Sequence, residues 1–453
     1  FLALLSPECL RQCIDTLGAF GLQMDDLNIS LTAVGLLWNV SDFIQTKRAE
    51  LEKNNSQASK HEDTPNIDEE IDQMIGSTLT VRTTNALWLL LLLQLSKICS
   101  DPRPEVRNGA NQTLFRTIDM NGAVLGINTW NTCIWKVLFP LLDSVNLASS
   151  RALKAMQQHG TEMEKINLQQ ESRGFMVHHS RNTVDKQWDE TKVLVLNGVS
   201  GIFKNFLSIL VNLENFPQAW DLLLSHLRDS CLHSSHEVAI ASIKALHTMI
   251  QFPNDSDQSL SEKISPLWQT TWIMWEKIGL GIITGFDNTH LPGSTGTIPT
   301  DTATPNDQNV SRFSQDTLTA YISSFTDLYK FISTNFKLDE TKRLLKVARG
   351  ILVYSKSPSY RPDQDYPTPL QESILDLVSK IDLNVKGAPA AVLNDLADYI
   401  TLAFKKFDHL SQQMNYEEAE AHSQPPPLPP KNEGSSSSSK SFSTVTFIAF
   451  SKT

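Results

Sequence analysis

Apolar side chains recur along most of this chain at spacings of three and four residues, and the alternation expected of β-strands is nearly absent. Such spacing is typical of amphipathic helices that bury one face. It predicts helices over residues 31–43, 79–100, 104–120, 130–145, 187–213, 216–231, 237–252, 264–279, 314–336, 340–356, 368–382 and 389–414. The single strand-like run lies near the end, at 442–450.

Two stretches share one design, in which a helix, a tight polar turn and a second helix follow each other. They are Asp101–Arg107 and Ser234–Ala239, and in both the second helix begins with an acidic residue followed by valine. Helical pairs that bury their apolar faces only against neighbouring pairs build α-solenoids. Val106 and Val238 are 132 residues apart, which predicts about three repeats of the roughly 40–47 residues usual for HEAT or armadillo units.

The predicted fold class is therefore all-α: an irregular HEAT/armadillo-like α-solenoid with long disordered loops and a low-complexity C-terminal tail. The predicted segments are helical repeats at 1–49, an acidic disordered loop at 50–77, HEAT-like helical repeats at 78–284, a loop at 285–312, helical repeats at 313–415, a Pro/Ser-rich disordered linker at 416–441 and the start of a further element at 442–453.

Local details refine this scheme. Pro140 is predicted to kink or shorten the helix around it, since proline removes a helical hydrogen bond. Residues 148–179 are polar and are predicted to connect two helices. Because the chain begins at Phe1 and its last apolar run stops at Thr453, we interpret it as a fragment of a longer protein.

Charge and cysteine content narrow the class of function. The formal net charge of −11 argues against broad nucleic-acid affinity, which requires a surplus of lysine and arginine. The 5 cysteines are few, odd in number and scattered, which indicates reduced thiols in a cytosolic protein. Cys9 and Cys13 share a helix face, but no further ligand lies near them in sequence. No metal and no other cofactor is predicted.

Two stretches have a composition that could allow contact with a membrane. The most apolar run, at 86–95, is about half the roughly 20 residues that a membrane span needs, so a buried helix is predicted. No signal peptide is visible. Thr341–Gly350 is the candidate for direct membrane contact, because Lys342, Lys346 and Arg349 lie on one face of a basic amphipathic helix. A solvated solenoid helix is the interpretation that we favour for it.

Catalytic signatures are missing from the sequence. It has no phosphate-binding loop, nucleophile elbow or zinc-protease motif, and we predict neither an enzyme nor a catalytic residue. Four charged side chains at the first polar turn are predicted to form a structural ladder of charges: Asp101, Arg103, Glu105 and Arg107. Three tryptophans at spacings of four and three are predicted to be core, not a ligand site: Trp268, Trp272 and Trp275.

The densest polar cluster lies at 178–191. A functional interpretation makes it a partner-facing surface or an anion site. Its candidate residues are His179, Arg181 and Lys186. The alternative, which we favour, is an inter-helix connection in which Trp188 fills the core and Asp189 or Thr191 caps the next helix.

A proline-rich string near the end of the chain carries a second candidate site. Pro426, Pro429 and Lys431 fit the pattern of a polyproline ligand for an SH3-type groove, which accepts a preformed extended helix. Such strings also arise by chance in proline-rich linkers, so an ordinary linker is the alternative.

Several motifs together carry a family resemblance. In chain order they are Leu31–Asp42, Asp101–Phe115, Trp135–Asp143, His178–Thr183 and Lys186–Thr191. They resemble the central region of a fungal-type member of the Mon-two family, Golgi and endosome proteins named for monensin sensitivity. The resemblance is specific from about residue 31 to 250 and thinner to about 414, and the proline- and serine-rich tail is outside it.

The resemblance implies a fold and a function. Members of the family look like the large Arf guanine-nucleotide exchange factors in their flanking helical repeats but lack the exchange domain. This implies a non-enzymatic cytosolic scaffold, peripheral on trans-Golgi network and endosomal membranes, which it meets indirectly.

The implied process is vesicle-mediated protein transport, in endosome-to-Golgi retrieval and vacuolar sorting. The implied partners are a Dopey-type protein, an Arf-like GTPase and a phospholipid flippase. Regulation of Arf-family GTPases, or exchange-factor-like binding to them, is the alternative, and self-association stays open. No binding residue is carried over from the family.

Overall fold

A computed structural model describes residues 7–48, 84–167, 183–233, 235–251, 258–284, 313–354 and 367–401. Every regular element within these ranges is helical, which confirms the predicted all-α class. The main helices are α1 (Pro7–Leu22), α2 (Leu27–Thr46), α3 (Thr84–Ile98), α4 (Pro104–Asn121), α5 (Ile127–Thr132), α6 (Phe139–Asn167), α7 (Val184–Asn205), α8 (Leu207–Leu210), α9 (Phe216–Cys231), α10 (His236–Ile250), α11 (Gln258–Thr284), α12 (Gln315–Ile332), α13 (Leu338–Val353), α14 (Pro369–Ser379) and α15 (388–401).

Several predicted features lie outside the described residues. They are the loops at 50–77 and 285–312, the linker at 416–441, the strand-like run at 442–450, and the candidate residues His179, Arg181, Pro426, Pro429 and Lys431.

The chain divides into two compact units, Phe1–Met274 and Trp275–Thr453, and the division falls inside α11. The described residues of the first unit include four helical pairs: hairpin 1 (α1–α2), hairpin 2 (α3–α4), hairpin 3 (α6–α7) and hairpin 4 (α9–α10). The second helices stack in order, α2 on α4, α4 on α7 and α7 on α10, while α1 packs on α3. Each hairpin therefore buries its apolar faces against its neighbours, as a solenoid requires.

The number of repeats differs from the prediction. Val106 lies in α4 and Val238 in α10, and only α7 stands between these two helices in the stack. The 132 residues therefore span two steps, and the expected three is wrong. Hairpin 3 is long because α6 continues to Asn167 through most of the stretch predicted to be a polar connection.

Hairpin 2 follows the sequence closely. Pro104 occupies the first turn of α4, where a missing N–H is no loss, and Glu105 favours the positive end of the helix dipole. Four apolar side chains at spacings of four then form its buried face: Val106, Ala110, Leu114 and Ile118.

Pro140 does not shorten its helix. It is the second residue of α6, and the irregularity lies before it, in a π-helical segment at Cys133–Leu138. The N–H of Phe139 bonds to the carbonyl oxygen of Ile134, five residues back. Because proline has no N–H to donate, wider π-type bonding just before it is a natural accommodation.

The tryptophan stripe of α11 is core, as predicted, since the three side chains are at most 3% exposed. In the first unit, Trp220 donates to the hydroxyl of Thr271 at 3.0 Å and its ring meets Trp268. In the second unit, Trp275 stacks on Tyr321 with 4.4 Å between ring centroids. The Tyr321 hydroxyl donates to the Trp275 carbonyl oxygen at 2.6 Å.

Candidate interaction surfaces and the polar seam between hairpins

A half-buried ion pair in the turn of hairpin 2 contacts hairpin 1. Arg103 donates from Nε and Nη2 to the two carboxylate oxygens of Asp101, at 2.9 and 2.8 Å. Its Nη2 also lies 3.2 Å from the hydroxyl of Ser30 on α2. Asp101 is only 3% exposed, so this fork-like pair holds the turn of one hairpin against the helix of the next.

A second arginine joins hairpin 2 to hairpin 3. Arg107 is fully buried and donates from Nε to the hydroxyl of Thr191 at 2.8 Å. Its Nη1 donates to the carbonyl oxygen of Pro102, and its Cζ lies 4.1 Å from the ring centroid of Trp188. Burial lowers the pKa of Arg107, and the ring and the two acceptors compensate the buried charge.

These contacts partly confirm the predicted ladder. Arg103 and Asp101 pair as expected, but Arg107 turns into the interior and leaves Glu105 exposed. The sequence held no local signal for this, because the partner Thr191 lies 84 residues further along. We call the side chains Ser30, Asp101, Arg103, Arg107, Trp188 and Thr191 the polar seam. The hydrogen bonds from Arg103 to Ser30 and from Arg107 to Thr191 link hairpin 2 to hairpins 1 and 3, which suits these side chains to fix the spacing of the three hairpins.

The structure describes the cluster at 178–191 from residue 183 onward, and there it bears on the structural interpretation. Trp188 is 9% exposed and packs in the interior, as the structural interpretation expected. Thr183 occupies the N-cap position of α7 without a side-chain capping bond, whereas Asp189 and Thr191 lie within α7, so that part of the interpretation is wrong. Lys186 stands exposed in the first turn of α7, where a partner could reach it.

Ionisable side chains converge between hairpins 3 and 4. Asp189 and Lys192 are 9% and 6% exposed. Burial lowers the pKa of Lys192 to about 8, although Asp189 and Asp229 favour its charged form. Burial likewise raises the pKa of Asp189 and lowers that of His226, whose ring stacks on Phe139. Desolvation outweighs the attraction between neighbours here.

A groove of about 320 Å³ runs between α4 and α7. Its floor contains Gly198 and Gly201, and a hydrogen bond of 2.8 Å from Asn205 to Asp119 crosses one part of it. Arg116 lies on the rim with its guanidinium 4.8 Å from the ring centroid of Trp38 on α2. The exposed second helices of three hairpins thus contribute to one surface.

The helix α2 is long and apolar enough to cross a membrane by length and composition, yet it packs here in hairpin 1. It borders an apolar cleft of about 360 Å³ that opens between α1 and α2.

Within the described residues, no three His, Cys, Asp or Glu side chains lie close enough together to hold a metal ion.

The basic stretch lies on α13, and the apolar face of this helix is buried in the core. Leu344, Leu345 and Val347 are at most 3% exposed. Two of its cations have carboxylate partners: Arg343 pairs with Glu276, and Arg349 pairs with Asp395 and Asp398. An amphipathic helix binds a membrane through its apolar face, and here that face is occupied, which favours the solvated solenoid interpretation.

Comparison with known proteins gives one consistent family. The family model for the C-terminal region of Mon2 protein matches residues 1–267. A Mon2 homologue of Drosophila melanogaster is 33% identical over 399 residues, which cover 84% of this chain and 22% of that protein. The Mon2 homologue of Homo sapiens is 32% identical over 407 residues, with 78% and 22% covered.

A more distant relative belongs to the exchange factors. The brefeldin A-inhibited guanine nucleotide-exchange protein 2 of Arabidopsis thaliana is 29% identical over 140 residues, which cover 29% of this chain and 8% of that protein. The chain spans about a fifth of the length of the Mon2 homologues from fly and human. The matched model describes a C-terminal region, whereas the sequence motifs had suggested a central one.

Proposed function

This chain belongs to the Mon2 family, and from that premise we propose that it is a non-enzymatic scaffold segment acting in vesicle-mediated protein transport. The observation that carries the proposal is the coincidence of the family match with the stacked hairpins. The match covers residues 1–267, and hairpins 1 to 4 lie within that range. Stacked helical repeats present extended surfaces to protein partners, and the buried polar groups of the seam keep those surfaces in a fixed geometry.

The finer proposal concerns place and partners. We propose that the protein is cytoplasmic and peripheral on trans-Golgi network and endosomal membranes, and that it works in endosome-to-Golgi retrieval and vacuolar sorting. A Dopey-type protein is the proposed direct partner, with an Arf-like GTPase and a phospholipid flippase as further members of the assembly. These proposals are supported by the resemblance to the Mon2 family. They concern the whole protein, of which this chain matches about a fifth of the relatives' length.

A second candidate function is the binding or regulation of Arf-family GTPases. The similarity over 140 residues to a plant guanine nucleotide-exchange protein favours it. Nucleotide release from an Arf-like GTPase, followed with a fluorescent nucleotide, separates the two candidates. We expect binding without faster release. Accelerated release by this chain alone would contradict the non-enzymatic proposal.

The direct test of the scaffold proposal is a binding measurement with purified components. The complete 453-residue chain is immobilised, and a purified Dopey-type protein or a GTP-loaded Arf-like GTPase is passed over it. We expect the Dopey-type protein to be retained, and Lys186→Glu to weaken retention, because Lys186 is exposed at the start of α7. Lys244→Glu, an exposed lysine on the neighbouring helix α10, is the matched control. If neither protein binds at micromolar concentration, the proposed partner surface is not on this chain.

A further inference from the structure

Helix α13 concentrates positive charge within an acidic chain. From Thr341 to Val353 it has four cationic side chains and no carboxylate, although the formal net charge of the chain is −11. The helix dipole favours cations in the last turn of a helix, but the last turn of α13 has no basic residue. The dipole therefore does not account for these charges, which belong to Lys342, Arg343, Lys346 and Arg349.

The fold neutralises the two arginines of this helix but not its two lysines. Arg343 pairs with Glu276 of α11, and Arg349 pairs with two aspartates of α15. Lys342 and Lys346 are exposed, and neither takes part in a salt bridge with another described residue. They stand four residues apart, where like charges on a helix repel each other. The two lysines thus leave a local excess of charge that the described part of the chain does not balance.

Helix α11 adds a third lysine beside them. Arg343 pairs with Glu276, and a Cβ atom at Gly279 would lie 2.5 Å from Cγ1 of Val347. The two helices therefore run side by side in the same direction. Lys277 directly follows Glu276 and is exposed, so it stands level with the turn of α13 that carries the two lysines.

All three lysines belong to the second unit, and both helices bury their other faces in its core. The exposed lysines consequently stand on the solvent side of the helical pair. We call this set the lysine surface; it comprises Lys277, Lys342 and Lys346.

We propose that the lysine surface is a docking site for an extended, carboxylate-rich segment of a partner polypeptide. Charge complementarity favours this occupant, because unpaired cations on one surface attract and orient a chain of opposite charge. One helical turn separates Lys342 from Lys346, which is about 6 Å along the axis. Alternate residues of an extended chain are about 6.7 Å apart. A segment with an acidic residue at every second position can therefore meet both lysines at once.

A membrane fits the same surface less well. Amphipathic helices bind bilayers through their apolar face, and the apolar face of α13 is buried: Leu344, Leu345 and Val347 are at most 3% exposed. Three lysines without an apolar anchor attract an anionic bilayer only by their charge, which salt screens. A polypeptide can instead place its carboxylates at the spacing of the lysines.

This site is separate from the partner surface proposed at Lys186. Lys186 belongs to the first unit, and the lysine surface belongs to the second. The acidic segment rests on the proposed scaffold function only in being part of a protein partner. Lys186→Glu should leave binding of an acidic segment unchanged, so either proposal can fail without the other.

The test measures binding of a defined acidic peptide to the complete 453-residue chain. A fluorescein-labelled peptide in which glutamate alternates with serine is titrated with the chain at about 50 mM salt, where screening is moderate, and binding is followed by fluorescence anisotropy. We expect binding that weakens as salt is added, and no binding of the same peptide with glutamine in place of glutamate. If the acidic peptide does not bind, or if the two peptides bind equally, the proposal is wrong.

Charge reversal then locates the site. The double variant Lys342→Glu and Lys346→Glu should weaken binding at least about tenfold, because it replaces attraction by repulsion. Lys277→Glu should weaken it as well. The matched control is Lys330→Glu with Lys380→Glu, which changes the net charge equally at two exposed lysines of the second unit that already pair with aspartates. The control should keep native affinity, and equal losses in the two double variants would overturn the proposal.

Two further measurements separate contact from other effects. Lys342→Ala with Lys346→Ala removes the charges without reversing them and should also weaken binding, by a smaller factor. If only the reversal weakens binding, the lysines do not contact the peptide and the proposal fails. Flotation with anionic liposomes that the charge-reversed variant loses would identify a membrane as the occupant and replace the acidic segment. Circular dichroism should show the native helix content in every variant, because these lysines are exposed.

Discussion

The guanidinium of Arg107 lies over the indole of Trp188, with 4.1 Å between Cζ and the ring centroid. The two residues belong to different hairpins and both are buried. Together with the bond from Arg107 Nε to Thr191, this contact fixes the position of α4 against α7. A buried arginine without acid partners at bonding distance depends on such neutral contacts, so its replacement should be costly.

We expect Arg107→Met to lower the free energy of unfolding of the first unit by about 2–4 kcal/mol, because the cation–π contact and the Thr191 bond are both lost. Urea-induced unfolding followed by circular dichroism measures this. Arg116→Met is the matched control, since Arg116 also stacks on a tryptophan but stands exposed. It should cost about 1 kcal/mol or less. Equal losses for the two variants would contradict the role of the polar seam.

Two glycines on α7 should respond in opposite directions to alanine. A Cβ atom at Gly198 would lie 2.4 Å from Cδ2 of Phe115, whereas one at Gly201 would meet nothing within 4 Å. We expect Gly198→Ala to destabilise by about 1–3 kcal/mol through overpacking. Gly201→Ala should stabilise by roughly 0.5–1 kcal/mol, because alanine favours the helix. Thermal melting of both variants checks this, and a stabilising Gly198→Ala would refute the close packing of α4 on α7.

Lys192 should make stability depend on pH in the alkaline range. Its pKa of about 8 in the folded chain is below the ordinary 10.5, so the unfolded chain binds more protons between these values. Stability therefore rises with pH across this window, and the cost of the buried charge is fully present below pH 8. The rise should be on the order of 3 kcal/mol.

Lys192→Met should remove this rise and stabilise the chain at pH 7. The free energies of unfolding of the native and variant chains are measured at intervals from pH 7 to pH 10.5. Subtracting one from the other at each pH cancels the contributions of the other titrating groups. Lys244→Met, at an exposed site on α10, should keep the native dependence. A flat difference between the native chain and Lys192→Met would mean that Lys192 titrates normally.

The basic side chains of α13 should make no difference to membrane binding. Lys342 and Lys346 are exposed, but the apolar residues beside them are buried in the second unit. We expect the double variant Lys342→Glu and Lys346→Glu to leave flotation of the chain with anionic liposomes unchanged. A marked loss of flotation would restore this helix as a membrane-binding element, since basic residues contribute about 1 kcal/mol each near such a surface.

The sequence determined the helical class and the positions of the clearest hairpin turns. Spacings of three and four placed the helices around Val106 and Val238, and the proline at position 104 marked the start of α4. These features are local, since a helix is closed by bonds four residues apart and its apolar face repeats every turn. Five motifs taken together, among them Leu31–Asp42 and Asp101–Phe115, also indicated the family.

Only the tertiary structure decided which distant residues meet. The pairing of Arg107 with Thr191, the groove above Gly201 and the low pKa of Lys192 all depend on packing between hairpins. The length of α6 was likewise missed, because the polar composition of residues 148–167 had predicted a connection between helices. Helix formation depends on residues that are close together in the sequence. Burial, close approach and desolvation arise when helices that are far apart in the sequence stack, and the residue spacing within one helix does not identify the helix that packs on it.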